Sequence, residues 1–305
     1  MKPKFSNIQQ LTIAFQDEAV CREYLANMRW VGGKPVCPYC TTDKVWNIEG
    51  GKRFKCATCK KKFSVTVGTI MEDSNIPLSK WFIAIWYCTS HKKGVSSLQL
   101  HRDLGITQKS AWHMIHRIRE MVRKKNPTIL TGTIQADETF VGGKNKNRHA
   151  DKKVKESQGR SFKDKTPIFG LLSEGKVNMS VVPDTKAKTL KPIIAALVEK
   201  GAIVVTDEWG AYNNLSNYQH EVVRHNDNEF VNKNGHHTNS LEGYWGLFKR
   251  GIFGIYHYAS RKHLGRYCDE FSFRYNTRNL GEAERFDISL TKCETTLPYK
   301  QLIAK

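Results

Sequence analysis

The chain has 305 residues, 39% hydrophobic and 26% charged, which is enough apolar surface for buried cores and excludes wholesale disorder. Lys and Arg number 49 against 29 Asp and Glu, and the net charge of +20 indicates a polyanionic partner, nucleic acid before acidic membrane. The sequence contains no apolar run long enough to predict a membrane span, and its start lacks the apolar core of a signal peptide. We therefore expect a cytoplasmic location and reduced cysteines.

The apolar spacing predicts helices in the first part of the chain and an α/β domain beyond about residue 130. A short helix is expected within residues 1–30, and residues 77–123 are helical again. The later strands are predicted at 133–141, 168–173, 177–182, 202–206 and 221–224, and the later helices at 189–200, 240–249 and 261–274. Residues 142–166 hold nine Lys or Arg against three Asp or Glu, which predicts a long mobile basic loop lying on DNA backbone.

Four cysteines form two Cys-x-x-Cys pairs, Cys37 with Cys40 and Cys56 with Cys59, separated by fifteen residues. Each pair can present two sulfurs from one tight turn, and two such turns complete a tetrahedron around one structural Zn²⁺. Between the pairs, residues 46–55 predict a hairpin, and residues 63–67 a third strand, so the segment is typical of a zinc ribbon. The alternatives are a redox pair or core thiols. The other cysteines, without such spacing, are expected to pack in cores: Cys21, Cys88, Cys268 and Cys293.

Residues 95–115 have the pattern of a helix-turn-helix. Gly105 suits the turn, and Thr107 can cap the second helix. Gln108 and Lys109 then lie where contacts to DNA bases or phosphates arise in such motifs. The alternative is a pair of packed helices without a role in DNA binding.

Three acidic residues stand where a metal-binding site can form. Asp137 lies inside a strand-like run, Asp207 follows the buried strand 202–206, and Glu242 lies in a predicted helix, seven residues before Lys249. Singly, each has a structural alternative, as an edge residue, a turn cap or part of a capping box. Together, two strand-borne aspartates and a helix-borne glutamate are suited to hold two divalent metal ions about 3.5–4 Å apart for phosphodiester chemistry. Mg²⁺ prefers such carboxylates together with water and phosphate oxygens.

Several segments carry a family resemblance: residues 136–144 (ADETFVGGK), 206–212 (TDEWGAY) and 237–245 (HTNSLEGYW). With the downstream segments 249–251, 256–257, 260–264 and 270–276, and with the preceding zinc ribbon, they resemble bacterial DDE-type insertion-sequence transposases of the group numbered fifteen-ninety-five. The similarity spans roughly residues 10–280.

The resemblance implies a ribonuclease-H-like catalytic fold, dependence on Mg²⁺ or Mn²⁺, and recognition of terminal inverted repeats. It places Asp137, Asp207 and Glu242 as metal-binding catalytic carboxylates. Some members of the group carry Asn as the third residue, which makes Asn239, one helical turn earlier, the alternative ligand. The remaining DNA contacts are expected from Lys249, Arg250, Lys144, Lys146 and Arg148.

These inferences predict an α/β protein with five parts. They are an N-terminal helical segment (1–30), a zinc ribbon (31–72), a helix-turn-helix-like segment (73–128), a ribonuclease-H-like catalytic domain (129–280) and a C-terminal tail (281–305). The expected function is metal-dependent cleavage at element ends and transfer of the 3′ hydroxyl into target DNA, by a homo-oligomer associated with the bacterial nucleoid. The alternatives are a zinc-ribbon regulator with an inactive α/β domain and a related nuclease that does not join strands.

Overall fold

The computed structural model describes residues 4–124, 128–142, 149–154 and 164–304. The helices are α1 (Ile8–Ala14), α2 (Glu18–Arg29), α3 (Leu78–Ser90), α4 (Ser97–Leu104), α5 (Gln108–Met121), α6 (Ala187–Leu197), α7 (Asn239–Gly251), α8 (Arg261–Asn276), α9 (Glu282–Leu290) and α10 (Tyr299–Ile303). The strands are β1 (Val45–Ile48), β2 (Arg53–Cys56), β3 (Lys62–Phe63), β4 (Thr133–Gly142), β5 (Lys165–Ser173), β6 (Lys176–Val181), β7 (Ile203–Thr206) and β8 (Gln219–Val222).

The chain divides into two compact units, and the first is built from both of its ends, Met1–Arg123 and Thr277–Lys305. The predicted C-terminal tail contains helices α9 and α10, and Phe286 of α9 lies in an aromatic cluster with Phe15, Tyr24 and Phe82. The ring centroids of Phe82 and Phe286 are 5.5 Å apart in an edge-to-face arrangement, which is favourable for aromatic pairs. The C-terminal residues therefore complete the core of the N-terminal unit.

The N-terminal segment forms two helices where one was predicted. α1 ends at Ala14, and α2 begins at Glu18, where the Asp17 side chain accepts a hydrogen bond from the backbone N–H of Ala19 and caps the helix. Several apolar residues of this segment are buried, including Leu11, Phe15 and Leu25, whereas Ile13 is 60% exposed. The apolar spacing therefore predicted much of the buried side, but the break between the two helices was missed.

The cysteine-rich segment folds into an antiparallel sheet in the order β1-β2-β3. Residues Glu49–Gly51 make the turn between β1 and β2, at the predicted position, and Gly50 and Gly51 have the positive φ angles that favour glycine there. The third strand is shorter than the predicted 63–67 and spans Lys62–Phe63. One face of this sheet is apolar, with Phe54 and Phe63 buried.

Helices α4 and α5 form the predicted helix-turn-helix arrangement. Gly105 ends α4 in the left-handed conformation, and the Thr107 side chain accepts the backbone N–H of Ser110 at the start of α5. Both helices contribute buried residues, including Leu100 and Leu104 of α4 and Ala111 of α5.

The second unit, Lys124–Asn276, is a mixed α/β domain around a sheet in the order β6-β5-β4-β7-β8. β4, β7 and β8 are parallel to one another, whereas β4, β5 and β6 are antiparallel neighbours. Alternate residues face opposite sides. Ile134 and Phe169 pack with Leu190 and Ile194 of α6, and the other side of the sheet packs against α7 and α8.

The predicted strands and helices of this unit are present with small shifts at their ends. The largest shifts are three residues, at the start of β5 (Lys165, predicted 168) and at the end of α6 (Leu197, predicted 200), and the last strand spans Gln219–Val222 and not 221–224. Most of the predicted basic loop lies outside the described residues. Among the residues that the structure describes, there is no helix of the length and apolarity that a membrane crossing requires.

Candidate active site and zinc centre

The four predicted zinc ligands converge in the first unit. The sulfur atoms of Cys37, Cys40, Cys56 and Cys59 all lie within 4.8 Å of one another. The Sγ atoms of Cys37 and Cys59 are 3.6 Å apart, and those of Cys40 and Cys56 are 3.5 Å apart. A tetrahedral site with Zn–S bonds of about 2.3 Å has S–S edges of about 3.8 Å, so this donor set fits Zn²⁺ without rearrangement of the chain.

Backbone N–H groups support the second cysteine pair. Those of Thr58 and Cys59 each lie 3.3 Å from Cys56 Sγ. Burial alone raises the pKa of Cys56, but these N–H groups and the neighbouring thiols lower it to about 6, which favours the thiolate that binds zinc. The cysteines outside the cluster are buried, as predicted: Cys21, Cys88, Cys268 and Cys293.

The strand register brings Asp137 and Asp207 together. The last pair between the parallel strands β4 and β7 joins Gln135 to Val205, and each aspartate lies two residues further along the chain, Asp137 within β4 and Asp207 just after β7. Neighbouring strands in a sheet are about 4.8 Å apart, so the two aspartates lie side by side where β7 ends. The backbone N–H of Trp209 donates to Asp207 Oδ1 at 3.0 Å and restrains that carboxylate.

Asp137 is held by a tryptophan of α7. Trp245 Nε1 donates to Asp137 Oδ2 at 2.9 Å. The indole ring fits over the sheet because Gly170 stands opposite Asp137 on β5. A Cβ atom at Gly170 would lie 2.5 and 2.6 Å from two ring carbons of Trp245, which is closer than carbon atoms can approach. Gly170 is therefore required by the position of Trp245 and, through it, by that of Asp137.

Glu242 extends from the first turn of α7. The hydroxyl of Thr238 donates to Glu242 Oε1 at 2.7 Å, and His225 Nε2 lies 3.1 Å from Thr238 Oγ1 and 3.2 Å from Glu242 Oε1. Because the single hydroxyl proton is used toward Glu242, His225 Nε2 is the donor of its pair. The Glu242 side chain remains 46% exposed. Asn239 is the first residue of the same helix and is also exposed.

The electrostatics connect the three acids. The pKa of Asp137 is raised to about 6, first by burial and then by the charges of Asp207 and Glu242, while hydrogen bonds from the Glu138 backbone and Trp245 oppose the increase. Among the described residues, only the four cysteines form a Cys, His, Asp or Glu group with all ligand atoms within 4.8 Å, so the three carboxylates are spread more widely.

Lys249 belongs to this site, whereas the other predicted DNA contacts are dispersed. Burial lowers the pKa of Lys249, while the negative charge of Asp137 raises it. The two side chains therefore lie close enough for their charges to interact. Arg250 is exposed at the end of α7. In the first unit, Gln108 Nε2 donates to Ser97 Oγ at 3.0 Å, and Lys109 Nζ lies 4.8 Å from the centroid of the Tyr299 ring. Lys144, Lys146 and Arg148 lie outside the described residues.

Sequence reasoning missed several residues that support the site. Gln135 bridges β4 to α7, because its Oε1 accepts the backbone N–H of Leu241 at 2.9 Å. The buried Tyr212 donates its hydroxyl to Glu138, on the opposite face of β4 from Asp137. Trp245 lies one helical turn after Glu242, and this spacing was the available signal that Trp245 is near the site. The sequence does not show that its hydrogen-bond partner is Asp137 on β4.

Fold and site together define a class of protein: a zinc-ribbon chain whose mixed α/β domain carries an acidic site on adjoining strands. Two family models match this chain, the "transposase zinc-ribbon domain" over residues 16–62 and the "ISXO2-like transposase domain" over residues 129–276. The chain belongs to this family of insertion-sequence transposases.

Two relatives agree with this assignment. An uncharacterized protein in the transposable element ISH50 of Halobacterium salinarum is 27% identical over 275 residues, covering 85% of this chain and 91% of the relative. An uncharacterized transposase-like protein of Haemophilus influenzae is 28% identical over 107 residues, covering 34% of this chain and 85% of the relative.

Two solved structures of Mos1 transposase share weaker similarity. The pre-cleavage Mos1 transpososome is 12% identical with a TM-score of 0.27, and the paired-end complex with the left transposon end is 14% identical with a TM-score of 0.23. Each comparison covers 70% of this chain and 79% of the solved chain. TM-scores this low do not establish a common fold.

Proposed function

We propose that this protein cuts DNA at the ends of an insertion sequence and joins the freed 3′ hydroxyl to target DNA. The observation that carries the proposal is the acidic site of the second unit, where two strand-borne aspartates meet a glutamate from α7. Three carboxylates in mutual repulsion are unfavourable unless a cation offsets their charge. This free-energy cost is tolerated at a site where the bound cation takes part in the reaction.

The fold of the second unit supports this reading. β4, β5 and β6 form an antiparallel run, and β7 and β8 extend it in parallel on the other side of β4. This is the strand order expected of a ribonuclease-H-like domain, with the first aspartate on the central strand β4. We assign residues 129–276 to such a catalytic domain, following the zinc ribbon and the helix-turn-helix.

The donor set suits Mg²⁺ or Mn²⁺, because it consists of carboxylate oxygens with room for water and phosphate ligands. Asp137, Asp207 and Glu242 would hold two such ions, which lower the pKa of a bound water and stabilise charge on the leaving oxygen. We favour Glu242 over Asn239 because its charge acts on Asp137. Its contacts to Thr238 and His225 both use Oε1, so we assign Oε2 to the metal.

The protein's own groups have separate tasks in this scheme. Trp245 orients Asp137, and His225 with Thr238 orients Glu242. Lys249, next to Asp137, would bind a non-bridging phosphate oxygen near the scissile bond. The zinc ribbon and the helix-turn-helix would select the element ends in duplex DNA. Since two ends must be joined, at least two protomers would assemble on the DNA, in the bacterial nucleoid.

The decisive experiment measures hydrolysis and joining separately. Oligonucleotide duplexes that carry the DNA bordering the reading frame, either intact or pre-cut, are incubated with the intact protein and Mg²⁺. We expect joined product from the wild type. Asp207→Ala should lose at least about a hundredfold in rate, since even partners of metal ligands contribute 10–100-fold. Glu199→Ala, an exposed acidic residue of the same unit, is the matched control and should retain activity.

Each alternative has its own outcome. Cleavage of intact ends without any joined product from pre-cut ends would identify a nuclease. Specific binding of the ends with neither reaction would identify a DNA-binding regulator. Undiminished joining by Asp207→Ala would show that the acidic site is not catalytic.

A further inference from the structure

The zinc ribbon has one face that its core does not use. In the β1-β2-β3 sheet, Trp46 is paired with Lys55, and Lys55 is paired with Lys62, so these side chains form a row across one face. We call this surface, together with Lys60, the ribbon face. The neighbouring row of Asn47, Phe54 and Phe63 lies on the opposite face.

The opposite face already forms the core of the ribbon. Phe54 packs against Trp30 with ring centroids 5.4 Å apart, and against Phe63 at 5.5 Å. Trp46, in contrast, is 53% exposed. A large aromatic ring in that position contributes little to burial and leaves apolar surface in water, so packing does not explain it.

Lysine ammonium groups lie over the exposed rings of the ribbon. Lys60 Nζ is 5.7 Å from the centroid of the Trp46 ring. On the first cysteine turn, Tyr39 is 48% exposed, and Lys61 Nζ is 4.6 Å from its centroid. Residues 52–62 contain six Lys or Arg and no Asp or Glu, so the ribbon is strongly complementary to a polyanion.

We infer that the ribbon face is a stacking platform for an unpaired DNA base. Alternating aromatic rings and cations are the elements of sites that bind single-stranded nucleic acid, where rings stack on bases and cations contact phosphates. Bases inside a duplex stack on one another, so Trp46 can receive only a base that has left the duplex. When such a base occupies the Trp46 ring, the Lys60 ammonium moves from the ring to an adjacent phosphate.

This inference goes beyond selection of duplex ends, and it depends on the proposed function only in taking DNA, not RNA, as the ligand. It predicts that the protein binds a splayed or single-stranded segment near the element end. Such segments arise when a DNA end is opened for cutting.

The test measures binding of a fluorescent single-stranded oligonucleotide and of the same sequence in a hairpin duplex, by anisotropy at fixed salt, with the intact protein. Trp46→Ala should weaken single-strand binding about five- to a hundredfold, which is the range that one stacking contact contributes. Trp46→Phe keeps an aromatic ring and should retain most of the affinity. Lys55→Gln should reduce the salt dependence of binding to both probes.

Ile13→Ala is the matched control, because Ile13 is an exposed apolar residue of the same unit outside the ribbon. Each variant must contain one zinc per chain, which shows that the ribbon is folded. Equal losses on the single strand and the duplex, or no loss with Trp46→Ala, would overturn the inference. The catalytic proposal is tested by the joining rate of Asp207→Ala and this one by single-strand binding of Trp46→Ala, so the two can fail independently.

Discussion

The zinc centre and the acidic site are built by opposite strategies. The four cysteines lie within 23 residues of chain, and their sulfurs lie within 4.8 Å of one another. The three carboxylates come from two strands and a helix that are far apart in sequence, and among the described residues they do not form a group that close. The four sulfurs would enclose one ion, whereas the three carboxylates are spread over a wider space.

The difference follows from what each site must hold. A closed tetrahedron of thiolates satisfies zinc completely and contributes folding free energy. In the proposed function, the acidic site must keep room for two ions and a phosphodiester, and its carboxylates therefore remain in partial repulsion. The acidic site should thus reduce the stability of the metal-free protein, while the zinc centre should increase it. The predictions below test this contrast.

The largest effect is expected for the zinc centre. Cys56→Ser should remove zinc and unfold the ribbon, because a structural zinc ion contributes about 10–16 kcal/mol in small zinc domains at pH 7. Zinc content by elemental analysis and protease sensitivity of the ribbon measure the outcome. Cys21→Ala, a buried cysteine outside the cluster, is the control and should retain zinc. Full zinc occupancy in Cys56→Ser would refute the assignment of the four ligands.

The second prediction concerns the repulsion at Asp137. Its pKa is raised from 3.8 to about 6, so the folded metal-free protein binds this proton more tightly than the unfolded chain. The resulting cost is absent below about pH 4, grows between pH 4 and 6, and reaches about 3 kcal/mol above pH 6. Asp137→Asn should therefore stabilise the second unit at pH 8 and lose that advantage as the pH falls.

Urea unfolding without added Mg²⁺ or Mn²⁺ measures this difference, with wild type and variant compared at each pH. Added Mg²⁺ should raise the stability of the wild type more than that of Asp137→Asn. A difference in stability that does not change with pH would show that Asp137 is not destabilised by its surroundings.

The smallest effect is expected at Gly170, which makes room for the Trp245 ring that donates to Asp137. Gly170→Ala would force Trp245 away from Asp137 and should cost about 1–3 kcal/mol, the usual range for overpacking. It should also reduce the joining rate, because Asp137 loses the indole hydrogen bond. Gly243→Ala, on an open face of α7, has no atom near the new Cβ and should stabilise the helix by about 0.5–1 kcal/mol. Comparable stability of the two variants would contradict this account of Trp245.

Local signals were sufficient to predict much of the fold. The cysteine spacing, the turn at Glu49–Gly51, the Gly105 and Thr107 pair, and the strand before Asp207 depend on residues close in sequence, and the structure has each of them. The convergence of Asp137, inside its predicted strand, and Asp207, at the end of another, depends on the pairing of β4 with β7, which the sequence does not show. Their role in catalysis and metal binding stays a prediction.

The missed features all depend on contacts between distant segments. Trp245 and Gly170 are 75 residues apart, and only the register of β4 and β5 places the glycine beneath the ring. The role of Phe286 was missed for the same reason, since nothing near it in sequence indicates an aromatic cluster with Phe15 and Phe82. No periodicity within a single helix or strand carries such information.

Because Phe286 and its helix complete the first core, the ribosome must translate the whole second unit before that core can close. The second unit is translated as an insertion between two halves of one folding unit. A copy of the gene with a premature stop codon after residue 276 would encode every acidic residue of the site. Its N-terminal unit would nevertheless lack Phe286 and the helix that completes the core. A frameshift in codons 277–290 should therefore disrupt the N-terminal unit although it leaves the three acidic residues intact.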